Sequence, residues 1–141
     1  MKKSLSIPLL YLLLGLLQAA HSVEEILTGL NQYAPFVTGA IHQKVAFFLV
    51  MDWSVEGFAS ANLIIVAAML ALSPFVFLRQ RWTWPVVKII AAIEVIMPLF
   101  HIVPALAIKS YQPGVISGVG VLLLAAGLFS RTLRKGGYDS N

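Results

Sequence analysis

The 141-residue chain contains no cysteine, and only 11% of its residues are charged. The absence of thiols excludes disulfide bonds, thiolate nucleophiles and sulfur-ligated metal sites. A soluble domain normally has about a quarter of its residues charged, so this chain has too few charged groups to cover a water-facing globule. Hydrophobic residues make up 59% of the chain. This composition predicts an all-α integral membrane protein.

Four apolar stretches approach the length of about 20 residues that a helix needs to cross the hydrocarbon core. They cover residues 5–30, 55–78, 85–108 and 114–129, and short basic or turn-rich links separate most of them. The sequence therefore predicts one membrane domain over residues 1–141, built as a bundle of four transmembrane helices. The longer link, residues 31–54, contains an apolar run at 45–51 that is too short to cross. We expect an interfacial segment there, acting either as a lid or as a plain connector.

The basic residues predict the direction of the bundle. Lys2 and Lys3 precede the first span, Arg79 and Arg81 follow the second, and Arg131 follows the fourth. The positive-inside rule then places both termini in the cytoplasm, as in a bacterial-type inner membrane. The same clustering between apolar runs favours membrane orientation over nucleic-acid binding, so we expect no nucleic-acid partner. The first 20 residues also resemble a signal peptide, but their small-x-small cleavage pattern is poor, which favours an uncleaved span.

The first span ends in a polar stripe. Each helical residue turns by about 100°, so His21, Glu24 and Glu25 fit within one arc of about 100°. Gln18 and Thr28 lie on or beside that arc. A single histidine is more often a packing residue, whereas a stripe of this length predicts a polar lining. Since the two glutamates are themselves about 100° apart, only one of them can lie well alongside His21.

The second and third spans carry polar residues at a similar depth. Glu94 and His101 are seven residues apart, which puts them on one face of a helix and about 10 Å apart along its axis. Asn62 and Glu56 lie near the matching end of the second span. A charged group left in hydrocarbon costs about 2.5–3.5 kcal/mol, so such groups usually face the bundle interior. We therefore expect these residues to meet those of the first span in one cavity.

Two backbone features bear on this cavity. Pro98 cannot donate a backbone hydrogen bond to the carbonyl of Glu94, which predicts a kink beside the cluster. Gly114 and Gly118 have the small-xxx-small spacing of closely packed membrane helices. The fourth span has no ionisable residue up to residue 129, and we expect it to act as a wall.

The motif HSVEE at residues 21–25, followed by HIVPALAIKSYQPG at residues 101–114, resembles the HXXEE family of small integral membrane proteins. That family is named for the first motif and typically has a later membrane histidine followed by a Tyr-x-Pro-Gly segment. The resemblance covers most of the chain, and Met97 is a departure from it, since an asparagine is expected there. It implies a functionally uncharacterised family, for which the suspected role is that of a metal-dependent membrane enzyme. The matching positions are His21, Glu24, Glu25, His101, Tyr111, Pro113, Gly114 and the span-two Asn62.

The first functional hypothesis is a metal site in the outer half of the bundle. His21 and Glu25, at positions i and i+4, can bind one ion, as paired ligands do in helical zinc motifs. His101 is the expected third ligand, and Glu94, which lies beneath it, is also expected at the metal. Zinc is the expected metal because it accepts histidine nitrogen and carboxylate oxygen and keeps a position open for water in catalytic sites. Glu24 is expected to be the catalytic base that acts on that water.

The expected substrate is a lipid or another amphiphile whose ester or amide is hydrolysed, with Asn62, Glu56 and Tyr111 at the substrate cavity. Two alternatives stay open at this point. A metal-free acid–base site could isomerise a lipid or relay protons, since buried carboxylates and histidines titrate near neutrality. The same cavity could also bind or transport a lipid without chemistry. The sequence does not determine the oligomeric state.

Overall fold

The chain is all-helical in its computed structural model, which describes residues 5–47, 49–50 and 52–134. Those residues contain no β-strand. Four helical stretches are long and apolar enough to cross a membrane, as predicted for a membrane protein. In chain order the helices are α1 (Ile7–Leu27), α2 (Leu30–His42), α3 (Val55–Phe77), α4 (Thr83–Ile96), α5 (Leu99–Ile108) and α6 (Val115–Arg134).

Helix α1 is shorter than the predicted span. It starts after Ser6, whose hydroxyl accepts a hydrogen bond from the amide of Leu9 at 3.4 Å. It ends at Leu27 because Gly29 takes a left-handed conformation, with φ of 74°. Glycine adopts this conformation without the steric cost that a Cβ imposes. The polar residues of α1 thus occupy its last two turns.

The predicted link over residues 31–54 is partly helical. Its first part forms α2, which follows Gly29 and packs against α1. The described residues after α2 are not helical until Ser54, whose hydroxyl accepts from the amide of Gly57 at 3.1 Å and so caps α3. The apolar run at 45–51 lies partly outside the described residues. The position of this segment at a membrane interface stays a prediction.

The third span is interrupted, as predicted, at Pro98. Helix α4 ends at Ile96 and α5 begins at Leu99. Pro98 is fully buried and faces α6, where a Cβ placed on Gly118 would lie 3.6 Å from its own Cβ. The break therefore packs against α6 at Gly118. Helix α5, which carries His101, begins directly after this break.

The helices form an antiparallel bundle in which α1 packs between α3 and α6, and α6 also packs against α4. The carbonyl of Leu5 accepts a hydrogen bond from Arg131, so the start of α1 lies beside the end of α6. We call this half of the bundle the basal half. Its core is largely apolar, although Thr83 and Thr132 are buried there too, and it includes the fully buried side chains Tyr11, Leu14, Val76, Val87, Val121 and Leu128.

The opposite half, where α1 ends and α6 begins, holds the polar residues. Lys2, Lys3 and Lys135, on which the predicted orientation partly depends, lie outside the described residues. Arg79 and Arg81 do follow α3 and are exposed. The cytoplasmic location of both termini therefore stays a prediction.

Candidate functional site

The carboxylate of Glu25 lies between two histidine rings. Its Oε1 is 3.2 Å from Nε2 of His21 and 3.0 Å from Nε2 of His101. The two rings meet edge to face, with centroids 5.2 Å apart. All three side chains are buried. The predicted convergence of these residues is thus observed, and we call them the His–Glu–His cluster.

Helix spacing explains how the cluster forms. His21 and Glu25 are four residues apart on α1 and so lie on one face, one turn above the other. His101 comes from α5, directly after the break at Pro98. One side-chain atom from each residue lies within 4.8 Å of the other two, as in a group that could hold a metal ion.

The link before α6 approaches the cluster closely at Gly114. A Cβ at this position would lie 2.9 Å from Cε1 of His21 and 3.1 Å from Cγ of Glu25, and the backbone has φ of +81°. A side chain here would be strained by the backbone conformation and would require a neighbouring side chain to move. The glycine of the Tyr-x-Pro-Gly segment is therefore needed to let the backbone close over the cluster.

Glu24 points away from the cluster and caps α6. Its carboxylate accepts hydrogen bonds from the Tyr111 hydroxyl at 2.7 Å, the Ile116 amide at 3.2 Å and the Ser117 amide at 2.8 Å, and also from the Ser117 hydroxyl. A helix N-terminus has unpaired N–H groups and favours negative charge. Because Gly114 has no side chain to cap α6, Glu24 supplies the missing acceptor from α1.

This placement changes the expected role of Glu24. From the sequence, Glu24 is predicted to be a catalytic base for water beside the cluster. Both carboxylate oxygens instead accept hydrogen bonds from Tyr111 and the first turn of α6. The prediction that only one of the two glutamates lies alongside His21 is confirmed, and that residue is Glu25.

Ser117 is a site residue that the sequence analysis missed. Its Oγ lies 2.9 Å from Nδ1 of His21 and donates to Glu24. Helix α6 is therefore more than an apolar wall, since it contributes a hydroxyl to the site. The signal available in the sequence was the position of Ser117, three residues after the glycine that precedes α6.

Asn62 lies on the other side of α1 from Ser117. Its Oδ1 accepts a hydrogen bond from the hydroxyl of Ser22 at 2.9 Å, and its Nδ2 donates to the carbonyl of Phe58 at 3.2 Å. Ser22 directly follows His21 in the chain. The predicted substrate-binding asparagine thus fixes α3 against α1 at the level of the cluster.

Glu94 lies outside the group of metal-ligating atoms, although the sequence analysis included it among the ligands. It is buried and interacts electrostatically with His21 and Glu25. It precedes the break at Pro98, about two turns before His101, which accounts for its separation from the ligands. Gln18 is buried two turns before Glu25 on the same face of α1, and its Oε1 has no hydrogen-bond partner among the described residues. Polar groups therefore continue from the cluster toward the basal half.

The two remaining predicted substrate residues are more exposed. Glu56 lies in the exposed first turn of α3, where its side chain interacts with Ser54. The structure does not bring it into the cluster. Tyr111 is bound to Glu24, and partial burial together with this hydrogen bond raises the pKa of its phenol above 10.0.

The donor set of the cluster has a recognisable chemistry. Two imidazole nitrogens and one carboxylate oxygen are the protein ligands of one class of catalytic zinc site, which leaves a fourth position for water or substrate. The same three groups can also bond to one another directly when a proton lies on each histidine nitrogen. The three side chains could therefore either bind a cation or hydrogen-bond to one another through protons on the histidine nitrogens.

A family model described as "Protein of unknown function with HXXEE motif" matches residues 12–129. The match includes α1 from its second turn, all three residues of the cluster, and most of α6. No curated protein and no solved structure matches the chain.

Proposed function

We propose that this chain, which belongs to the HXXEE family, is a metal-dependent membrane enzyme that hydrolyses a lipid or another amphiphilic substrate. The observation that carries the proposal is the convergence of His21, Glu25 and His101, whose ligand atoms lie within 4.8 Å of one another. Three such groups inside an apolar bundle must be compensated, either by a shared cation or by their direct contacts with one another, because buried polar and charged groups are costly when unpaired.

Zinc is the metal that we propose. Its usual protein ligands include imidazole nitrogen and carboxylate oxygen, and the chain has no cysteine that would favour a purely structural thiolate site. When bound, zinc lowers the pKa of water and polarises a carbonyl group, which is the chemistry of ester and amide hydrolysis. In this proposal the two histidines and Glu25 hold the ion through α1 and α5.

Glu94 is the residue that we propose as the acid–base group, in place of Glu24. It is buried, it lies near the cluster without belonging to it, and no described residue forms a hydrogen bond or ion pair with its carboxyl group. A carboxyl group in that position can accept a proton from water and return it to a leaving group. Gln18 lies on the cluster's face of α1 and can orient the same water or the substrate through its free Oε1.

An amphiphilic substrate fits the surroundings of the site. The outward-facing residues of the four spans are largely apolar, as for Leu63, Ile64 and Leu123, so a lipid can reach the bundle from its side. Asn62 and Tyr111 bond to Ser22 and Glu24, which neighbour the cluster residues in the chain, and they are proposed to contact the substrate. Glu56, at the exposed start of α3, is proposed to meet a headgroup.

A metal-free acid–base site is the second candidate. The observation that favours it is the direct contact of both histidine Nε2 atoms with one oxygen of Glu25. Such a group can transfer protons without a cation, and it would support lipid isomerisation or a proton relay. Binding or transport of a lipid without chemistry would use the same cavity.

Metal analysis of the purified protein distinguishes these candidates. The chain is purified in detergent and loaded with zinc, and its metal content is compared with that of His21→Ala, His101→Ala and Glu25→Gln. We expect about one zinc per chain, and a loss of it in each variant because a ligand is removed. Glu56→Gln is the matched control, since it changes an exposed carboxylate outside the cluster, and it should retain the metal. Equal metal content in all four variants would contradict the metal site.

The orientation in the membrane is also a proposal. The basic residues that follow α3 and end α6 support cytoplasmic termini, which puts the His–Glu–His cluster in the outer half of the bundle. A reporter fused after residue 141 should report the cytoplasmic side. A reporter found outside would reverse the orientation and leave the site geometry unchanged.

A further inference from the structure

We infer that Ser117 is a positioning residue that holds a proton on Nδ1 of His21, so that Nε2 is the ring nitrogen left to bind at the cluster. The inference starts from three atoms in a row, Oε2 of Glu24, Oγ of Ser117 and Nδ1 of His21. Ser117 Oγ contacts both neighbours, the ring nitrogen at 2.9 Å and the carboxylate as a hydrogen-bond donor.

The direction of these hydrogen bonds follows from the number of protons that the Ser117 hydroxyl and the Glu24 carboxylate can donate. A serine hydroxyl has one proton to donate, and an ionised carboxylate can only accept. Glu24 already accepts from two amides and the Tyr111 hydroxyl, which stabilises its ionised form. The proton of Ser117 therefore goes to Glu24, and its oxygen is left to accept. The partner that it accepts from is the N–H at Nδ1 of His21.

The consequence falls on the other nitrogen of the ring. A neutral imidazole carries one proton, so a proton fixed at Nδ1 leaves Nε2 free to bind a cation, whereas without a cation the contact of Nε2 with Glu25 requires a second proton shared between them. That nitrogen is the one that faces Glu25, at 3.2 Å. Metal-bound histidines usually donate their second N–H to a fixed acceptor, which sets the tautomer and the ring orientation. Ser117 provides that acceptor here.

The same chain of contacts explains why the two glutamates of the motif have separate roles. Glu25 lies in the cluster itself. Glu24 acts on His21 only through Ser117, and it also fixes the position of Ser117 by binding the amides of Ile116 and Ser117. Helix α6 is thereby docked so that its first hydroxyl meets the ring.

The inference is tested first on the unaltered protein. Protein with ¹⁵N-labelled histidine is prepared in detergent without metal, and NMR signals of His21 are identified by their loss in His21→Gln. We expect Nδ1 of His21 to be protonated. An unprotonated Nδ1 would overturn the inference without any variant of Ser117.

Variants of Ser117 provide the second test. Ser117→Ala removes the acceptor while leaving both amides for Glu24, so we expect Nδ1 to lose its proton while Nε2 keeps the proton that it shares with Glu25. Zinc affinity should fall by about 10–100-fold, as for other changes to residues that orient a ligand. Ser117→Thr keeps the hydroxyl and should restore both properties. Ser22→Ala is the matched control, because it removes a buried hydroxyl next to His21 that bonds to Asn62, and it should leave the Nδ1 proton in place.

The affinity readout depends on the proposed metal site, and the NMR readout does not. Protonated Nδ1 that is lost in Ser117→Ala would support the inference even if no variant binds zinc, in which case the proposed function fails alone. Zinc binding that requires His21 but is unchanged in Ser117→Ala, with Nδ1 still protonated, would overturn the inference and leave the proposed function in place.

Discussion

In the basal half of the bundle the helices meet mainly through apolar side chains, although Arg131 also donates a hydrogen bond to the carbonyl of Leu5. In the other half the same helices meet mainly through hydrogen bonds. Tyr11, Val76, Val87 and Leu128 come from four different helices and are all fully buried. At the opposite end, α1 is joined to α3 through Ser22 and Asn62, and to α6 through Glu24 and His21. The same helices are therefore held together mainly by apolar packing in the basal half and mainly by hydrogen bonds in the other half.

This difference between the two halves suggests that one contributes most of the stability of the bundle and the other the geometry of the site. Dispersion contacts are individually weak but numerous, and they are less directional than hydrogen bonds. Hydrogen bonds between membrane helices contribute only about 0.6 kcal/mol on average, yet each requires a particular distance and direction. We therefore expect most of the stability to come from the basal half and the placement of ligand atoms to come from the polar half. The following variants test that division, from the largest expected effect to the smallest.

Leu14→Ala should have the largest effect on stability. Leu14 is fully buried in the basal half, and Leu→Ala changes in cores cost about 2–5 kcal/mol through lost contacts and the cavity left behind. We expect the lower end of that range, because the unfolded side chain stays in lipid. Denaturation in detergent measures the change, and Leu123→Ala, at a side chain that is 69% exposed, is the control. Metal binding should survive, and its loss in Leu14→Ala at full folding would contradict the division.

Gly114→Ala should disturb the site more than the fold. Its backbone conformation alone costs a non-glycine residue about 1–2 kcal/mol, and the added Cβ would lie 2.9 Å from His21. We expect weaker zinc binding and a moderate loss of stability. Gly127→Ala is the matched control, because a Cβ there meets nothing within 4 Å. Equal behaviour of the two variants in metal titration would show that the close approach is unimportant.

Glu24→Gln should destabilise the docking of α6. An amide cannot accept as many hydrogen bonds as a carboxylate, and its NH₂ group would face backbone donors. The loss of a charged helix cap costs about 1 kcal/mol. Glu56→Gln changes another glutamate near a helix start, but one that is exposed, and should be close to neutral. The rate of hydrogen exchange at the amides of Ile116 and Ser117 measures the effect. An unchanged rate in Glu24→Gln would show that Glu24 does not cap α6.

The smallest expected effect is the pH dependence of stability that comes from ionisation of the Tyr111 phenol. Burial and the hydrogen bond to Glu24 raise the pKa of its phenol above 10.0, so folding stabilises the neutral form. This contribution is fully present below pH 10 and is lost as the pH rises through the folded pKa. Absorbance titration against Tyr111→Phe should show ionisation above pH 10, shifted back toward 10 in Glu24→Gln. Ionisation of Tyr111 at or below pH 10 would contradict the contact.

The fold could be predicted from the sequence to the level of four apolar helical spans. Span length and composition are local properties, and so is the effect of Pro98, which interrupts the third span as expected. The helix at residues 30–42 was missed, since the segment was treated as an interfacial lid or connector. The reason is that Gly29, which separates α2 from α1 by its positive φ, was included within an uninterrupted first span.

The centre of the site was predicted from helical spacing. His21 and Glu25 share a face by their i, i+4 positions, and the matching depth of His101 indicated that it would join them. The role of Ser117 was not accessible in this way, because it depends on the register of α6 against α1. Glu24 was assigned to catalysis for the same reason, since the sequence does not show that a helix N-terminus lies beside it.

Zinc X-ray absorption on the purified protein tests the central claim most directly. The account predicts one bound zinc with two imidazole nitrogens and a carboxylate oxygen, at zinc–ligand distances of about 2.0–2.2 Å, and the loss of one imidazole in His101→Ala. A protein that retains no zinc, or zinc held by oxygen ligands alone and unaffected by His101→Ala, would contradict it.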